Sequence, residues 1–179
     1  MNEDHTTAFV GLGSNLGDRA GNLLLSVRCM MEASFEVCKL SGIYETEPWG
    51  MDSDLWFLNM VAEVRVSPII SPTQMMARLL RIEYNLGRRD KMRNLPRTID
   101  LDLLFYGHMR LKTEFLTLPH PCIPLRRFVL TPLKEIAPRF IHPEFRQDIG
   151  HLLAGCEDDG IVRRWHPSPN QNACIEFGP

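Results

Sequence analysis

Asp100 and Asp102, in the run Pro96-Arg-Thr-Ile-Asp-Leu-Asp-Leu-Leu-Phe105, are the residues of this sequence best placed to do chemistry. In a β-strand they share one face while Ile99, Leu101 and Leu103 share the other. Two carboxylates one pleat repeat apart stand about 7 Å from each other. That is too far for a hydrogen bond between them and suitable for gripping one or two hard cations. Arg97 stands at the strand entrance, and Arg88, Arg89, Lys91 and Arg93 precede it, so five cationic side chains fall within ten residues. Carboxylates for a metal beside guanidinium groups for oxyanions suit a metal-bound polyphosphate. The acids alone would equally describe a polar strand face beside a solvated loop; the basic loop and the features below favour the site.

Other candidates lie on separate elements. In the stretch from Trp56 to Val66 every second residue is apolar, with Trp56, Leu58, Met60, Ala62, Val64 and Val66 on the core face. Phe57 and Asn59 then share the opposite face, an aromatic beside an amide that could stack on and hydrogen-bond a heterocycle. Trp49, in the loop Glu47-Pro48-Trp49-Gly50-Met51-Asp52, fits either a cover over a planar ligand or a return to the core. Glu83 falls at the edge of a helix stripe near the C-terminus, where the dipole does not favour a carboxylate. It suits a ligand amine or hydroxyl, or a plain surface. His120 and Arg126, in a stiff segment with three prolines, offer further donors for phosphate.

The elements that must carry these groups can be read in order. A short apolar strand over 8–12 leads into Gly11, Gly13, Ser14, Asn15 and Gly17, a strand-to-helix turn with Ser14 or Asn15 as cap. Leu16 stands where a dinucleotide fingerprint needs its third glycine, and no Walker-type loop occurs. A helix from about Arg19 buries Leu23, Val27 and Met30. A second strand is expected over 36–46. Ser71-Pro72-Thr73-Gln74 is a capping box opening a helix that buries Met75, Leu79, Ile82 and Leu86 and ends at Gly87. The Asp strand should turn into a hairpin near Gly107, and a short helix should begin at Thr131-Pro132 and end by Pro138. Strand, helix, strand, strand, helix, strand is the ferredoxin-like α+β order: an antiparallel sheet with helices on one face, the other face free for a ligand, and a C-terminal extension walling the groove.

The 179 residues fit one domain over 1–165, with 166–179 expected as a mobile tail, and 44% hydrophobic content supports a core. A net charge of −2 makes the basic loop a local feature and argues against a general nucleic-acid binder. No apolar run approaches the ~20 residues of a membrane span; a soluble, cytoplasmic monomer acting on small molecules is expected. Five scattered cysteines without a Cys-x-x-Cys pair read as reduced, mostly buried thiols.

Several motifs coincide in order over about 9–138: Gly13-Ser-Asn-Leu16, Tyr44-Glu-Thr46-Glu-Pro48, Phe57-Leu-Asn59, Arg81-Ile-Glu83 with Gly87-Arg88, Pro96-Arg97-Thr-Ile-Asp100-Leu-Asp102, and Pro119-His120 with Arg126 and Phe128. In these the chain resembles the 6-hydroxymethyl-7,8-dihydropterin pyrophosphokinases of folate biosynthesis. The resemblance implies transfer of a pyrophosphoryl group from ATP to the pterin hydroxymethyl oxygen, releasing AMP. It implies two Mg2+ ions on Asp100 and Asp102, and catalytic roles for Arg88, Arg97 and both aspartates. Glu83, Arg88, Lys91, Arg97, Thr117, His120 and Arg126 would contact ATP. Thr46, Glu47, Pro48, Trp49, Phe57, Asn59 and Phe128 would form the pterin pocket, with Phe57 and Phe128 sandwiching the ring. Asn94-Leu95 stands where the family pattern has Trp-Gly, and the loop is a residue shorter. The competing readings are a catalytically weakened relative and a ferredoxin-like nucleotide- or RNA-binding module; the latter lacks the Lys/Arg-Gly-Phe/Tyr motif.

Overall fold

The structure, a computed structural model, describes residues 5–50, 53–88 and 95–167. Its elements run β1 (Thr6–Ser14), α1 (Arg19–Glu32), β2 (Glu36–Leu40), β3 (Tyr44–Thr46), β4 (Phe57–Val66), α2 (Pro72–Asn85), β5 (Asp100–Tyr106), β6 (Leu111–Lys112), β7 (Thr117–Leu118), α3 (Arg127–Ile136), α4 (Ile149–Ala154) and β8 (Val162–Arg164). The main sheet has the order β5-β1-β4-β3-β8, each neighbouring pair antiparallel, and β2 shares the edge of β4 with β3. The chain is thus a mixed α/β fold on an antiparallel sheet.

The alternation read from the sequence carries the first core. Ala8, Val10 and Leu12 of β1, Leu58 to Val66 of β4 at every second residue, and Leu101 and Leu103 of β5 pack on α1 and α2. Leu23, Val27 and Met30 supply the α1 stripe, and Met75, Leu79 and Ile82 that of α2. The capping box at Ser71 forms as expected, with Ser71 accepting from the Gln74 amide and Gln74 accepting from the Ser71 amide. Such a cap contributes about 1 kcal/mol.

The second sheet face differs from expectation. Instead of being free, it is half covered by α3 and α4, because Phe9, Val61, Leu104 and Phe105 make it apolar at one end and bury Val129, Leu130, Leu133, Ile149 and Leu152. A bulge in β5 opposite Phe9 and Val10 brings Leu104 and Phe105 to this face in succession. The other half stays open, and there the same strands present Gly11, Gly13, Phe57, Asn59, Asp100 and Asp102.

Several local expectations are corrected. β1 continues to Ser14, and α1 is capped by Asp18, whose carboxylate accepts from the Gly21 amide, instead of by Ser14 or Asn15. The strand expected over 36–46 is interrupted at Ser41-Gly42-Ile43 into β2 and β3. Trp56 precedes β4 and is half-buried under the Arg163 guanidinium, outside both cores. After Gly107 the chain does not pair back on β5; β6 pairs with β7. α3 starts at Arg127, four residues before Thr131, and keeps Pro132 inside it. Of the described cysteines only Cys156 is buried, while Cys29, Cys38 and Cys122 are half-buried free thiols. Residues 168–179 of the expected tail lie outside the described residues.

Candidate active site

The open half of the second face is the floor of a cavity of about 570 Å3. The strand register lays out that floor. Asp100 of β5, Gly13 of β1 and Asn59 of β4 form one cross-strand row, and Asp102, Gly11 and Val61 form the next. Glycine in the central strand leaves a trough between the carboxylates on one side and Phe57 with Asn59 on the other. A Cβ on Gly13 would stand 2.6 Å from Asn59 Oδ1, so the amide lies directly over the bare backbone. Asn59 is buried and donates from Nδ2 to Thr46 Oγ1 at 2.7 Å, which fixes the direction of its amide.

The carboxylate side is dense with charge. Arg88 reaches both Glu83 and Asp100 with Nη1, and Arg97 Nη1 donates to the other oxygen of Asp100 at 2.9 Å. Arg126 Nη1 stands 3.6 Å from Asp102 Oδ2. Glu83 is buried behind Arg88 and also accepts from the Leu101 amide at 2.7 Å. Burial pushes its carboxyl up to about 7, against the pull of the Leu101 amide and of Arg88. Burial also raises the Asp102 carboxyl, with Asp100 adding to the effect and His120, Arg126 and Arg88 opposing it. His120 is pushed down by burial, while Asp102 pulls the other way. Its Nδ1 accepts from the Cys122 amide at 3.3 Å.

From the carboxylate side, Arg126 also reaches the aromatic wall, 4.7 Å from the Trp49 ring centroid and 5.6 Å from that of Phe128. Arg97 lies 5.8 Å from the Phe57 ring. Aromatic faces and guanidinium groups therefore meet across the cavity. Among the described residues no group of three or more His, Cys, Asp or Glu side chains gathers to hold an ion. Asp100 and Asp102 on one face instead suit a hard cation whose remaining ligands are phosphate oxygens and water.

The cavity wall gathers Thr46, Glu47, Trp49, Phe57, Asn59, Arg88, Arg97, Asp100, Asp102, His120, Arg126 and Phe128. Pro48 and Thr117 do not line it, Glu83 stands behind Arg88, and Lys91 lies outside the described residues. Sequence reasoning missed Gly11 and Gly13 as floor and Asn15 as a support. The Asn15 side chain accepts from the Arg97 amide at 2.7 Å, and the Asn15 amide donates back to the Arg97 carbonyl at 3.2 Å. The available signal was glycine at alternate strand positions, which marks a close approach more than a turn.

Residues 9–138 match the family described as 7,8-dihydro-6-hydroxymethylpterin-pyrophosphokinase (HPPK). The 2-amino-4-hydroxy-6-hydroxymethyldihydropteridine pyrophosphokinase of Bacillus subtilis is 42% identical over 130 residues, covering 72% of this chain and 77% of that protein. The enzyme of the same name from Methylorubrum extorquens is 40% identical over 159 residues, covering 88% and 98%. That of Aquifex aeolicus is 35% identical over 143 residues, covering 80% and 88%. Among solved structures, an HPPK-DHPS in complex with substrates has a TM-score of 0.67 at 16% identity and covers 84% of this chain. Wild-type HPPK-DHPS of Plasmodium falciparum gives 0.67 at 16%, covering 85%. This chain spans 43% and 45% of those two chains, and the likeness to them is one of fold. With most of its length matched and three bacterial relatives above the identity at which fold and family go together, the chain belongs to the 7,8-dihydro-6-hydroxymethylpterin-pyrophosphokinase family.

Proposed function

We propose that this cavity binds ATP and 6-hydroxymethyl-7,8-dihydropterin side by side and moves the pyrophosphoryl group from one to the other, giving the pterin diphosphate and AMP for folate biosynthesis. One observation carries the assignment of sides: a single glycine-floored trough has two aspartates and three arginines along one flank and Thr46, Phe57 and Asn59 along the other. On this reading the pterin lies over Gly13 between Phe57 and Phe128, with the Asn59 amide, held by Thr46, reading its ring edge. The triphosphate lies along the arginine flank. The hydroxymethyl oxygen attacks the β-phosphorus, and the bond to the α-phosphate oxygen breaks as AMP leaves.

Arg88 and Arg97 both engage Asp100. Polyphosphate oxygens compete for the same guanidinium groups, so ATP binding exchanges these ion pairs for phosphate contacts and releases the Asp100 carboxylate. Asp100 and Asp102 would then hold Mg2+, two ions by the family pattern, which supplies charge neutralisation on the transferring group. Arg88, Arg97 and Arg126 hold the phosphate oxygens in line, and His120, whose Nδ1 accepts from the Cys122 amide, is a hydrogen-bond donor from Nε2. The sheet order β5-β1-β4-β3, with α1 and α2 packed together on one face, supports a ferredoxin-like core for the domain. On the same reading the protein acts on these small molecules as a monomer.

The test is AMP release by purified protein supplied with ATP, Mg2+ and the pterin, with omission of the pterin and addition of chelator as controls. Pterin- and metal-dependent AMP is expected. ADP as product would make it an ordinary kinase, and wild-type turnover in Asp100→Ala or Asp102→Ala would sink the metal assignment.

A further inference from the structure

Residues 139–167 follow the stretch that matches the family, yet they are tied to both sides of the cavity mouth. α3 begins at Arg127 without a capping side chain from Arg126. Asp158 supplies the cap from outside: its Oδ2 accepts from the Arg127 amide at 2.8 Å, and its Oδ1 accepts from the Gly160 amide at 3.0 Å. Arg127 returns the contact, donating from Nε to the Asp158 carbonyl and from Nη2 to the Cys156 carbonyl at 3.4 Å. A few residues on, the Ile161 amide donates to Glu47 Oε2 at 2.9 Å and the Glu47 amide donates to the Ile161 carbonyl at 3.3 Å. β8 then pairs with β3, Thr46 opposite Val162. At the far end, Glu135 of α3 accepts from Arg164, Tyr44 and the Gly42 amide.

These contacts close a ring. It runs from Asp158 through Arg127 to Arg126, across the ring of Trp49 to Glu47, and through Ile161 back to Asp158. Arg126 and Trp49 line the cavity, whereas Asp158 does not. Building on the pterin reading of that wall, we propose that the segment from Cys156 to Arg164 is a strap that sets the width of the pterin slot, with Asp158 as its positioning residue. Asp158 touches no substrate; it fixes the start of α3, and so Phe128, relative to the loop bearing Thr46 and Trp49. Arg88 and Arg97, on the opposite flank, engage Asp100 instead. The larger effect should therefore fall on the pterin, with Arg126 passing a smaller one to ATP.

Asp158→Ala should raise the pterin dissociation constant about 5- to 10-fold, the size of a lost helix cap with its ordering, and change the ATP–Mg2+ constant, which Arg126 links to the strap, by a smaller factor. Asp158→Asn, which keeps one acceptor of two, should fall between. Equal loss of both affinities would mean a merely structural role and would overturn the strap, as would unchanged pterin binding. A third readout uses wild-type protein: pterin binding should slow hydrogen exchange of the Arg127 and Ile161 amides, and no slowing there overturns the proposal even if the variants do not fold. Phe57→Ala separates the two levels of inference. If it too binds pterin normally, the pterin reading of the wall has failed; if it loses pterin while Asp158→Ala does not, only the strap has.

Discussion

At the scale of single residues, the site is set by where side chains are missing as much as by where they stand. Gly13→Ala would push a methyl carbon into Asn59 Oδ1. The amide must turn, losing its bond to Thr46, and pterin KM should rise about tenfold or more while the melting temperature changes little. Steady-state kinetics with both substrates varied will show it; an unchanged pterin KM would remove Asn59 from the pocket. Trp49 stacks on Arg126 at the cavity wall, over a third exposed. Trp49→Ala should weaken pterin binding about 3- to 10-fold, as loss of one aromatic stacking partner predicts, and fluorescence titration will measure it. Arg97→Ala should lower kcat by on the order of 10² to 10³ if the guanidinium stabilises the transferring phosphoryl group.

At the scale of elements, the second core deserves the same physical treatment as the first. His142 is buried between Phe105 and Phe145 and accepts from the Glu144 and Phe145 amides through Nδ1. Burial holds its imidazole below the usual histidine range. The unfolded chain then binds more protons than the folded one as pH falls below about 6.5, so stability contributed by this site is present above that pH and is lost on acidification. Denaturant midpoints measured from pH 7.5 to 5 should fall, and His142→Phe should flatten the slope; equal slopes would exclude His142 as the cause. This core also marks where sequence reasoning stopped. Asp100, Asp102, Phe57 and Asn59 were legible because strict alternation assigns them a face, and α2 because its cap is local. The cover of α3 over Phe9, Val61, Leu104 and Phe105 was not: scattered apolar residues on a mixed face, two of them brought there by a bulge, carry no period. Nor were the ion pairs of Arg88, which depend on how a loop folds back over Glu83 and Asp100. Asp158 lies thirty-one residues from its partner Arg127, beyond any local pattern.

At the scale of the whole molecule, the clamping of Asp100 by Arg88 and Arg97 would, on the proposed function, couple ATP to Mg2+: the arginines would compete with the metal until phosphate drew them off, and without metal the two carboxylates would face the phosphates. Thermal unfolding should therefore shift slightly with either alone and clearly with both. Saturation at about a hundred times the dissociation constant corresponds to roughly 2.7 kcal/mol. Shifts that simply add would show the two ligands to be independent. Chelator should abolish turnover without lowering the melting temperature of the ligand-free protein. No helix among the described residues is long and apolar enough to cross a membrane.

The bare floor of the trough also constrains how this enzyme can change. A pocket lined by large side chains can be enlarged by trimming them, but Gly11 and Gly13 leave only main chain at the floor of this one. Nothing remains there to trim. Variation at these two positions can only make the site shallower, so any inhibitor that reaches the strand backbone rests on a surface from which resistance by retreat is impossible. Filling in at Gly13 would come at the expense of the Asn59 amide, whereas a Cβ at Gly11 would meet only Leu104, at 3.5 Å.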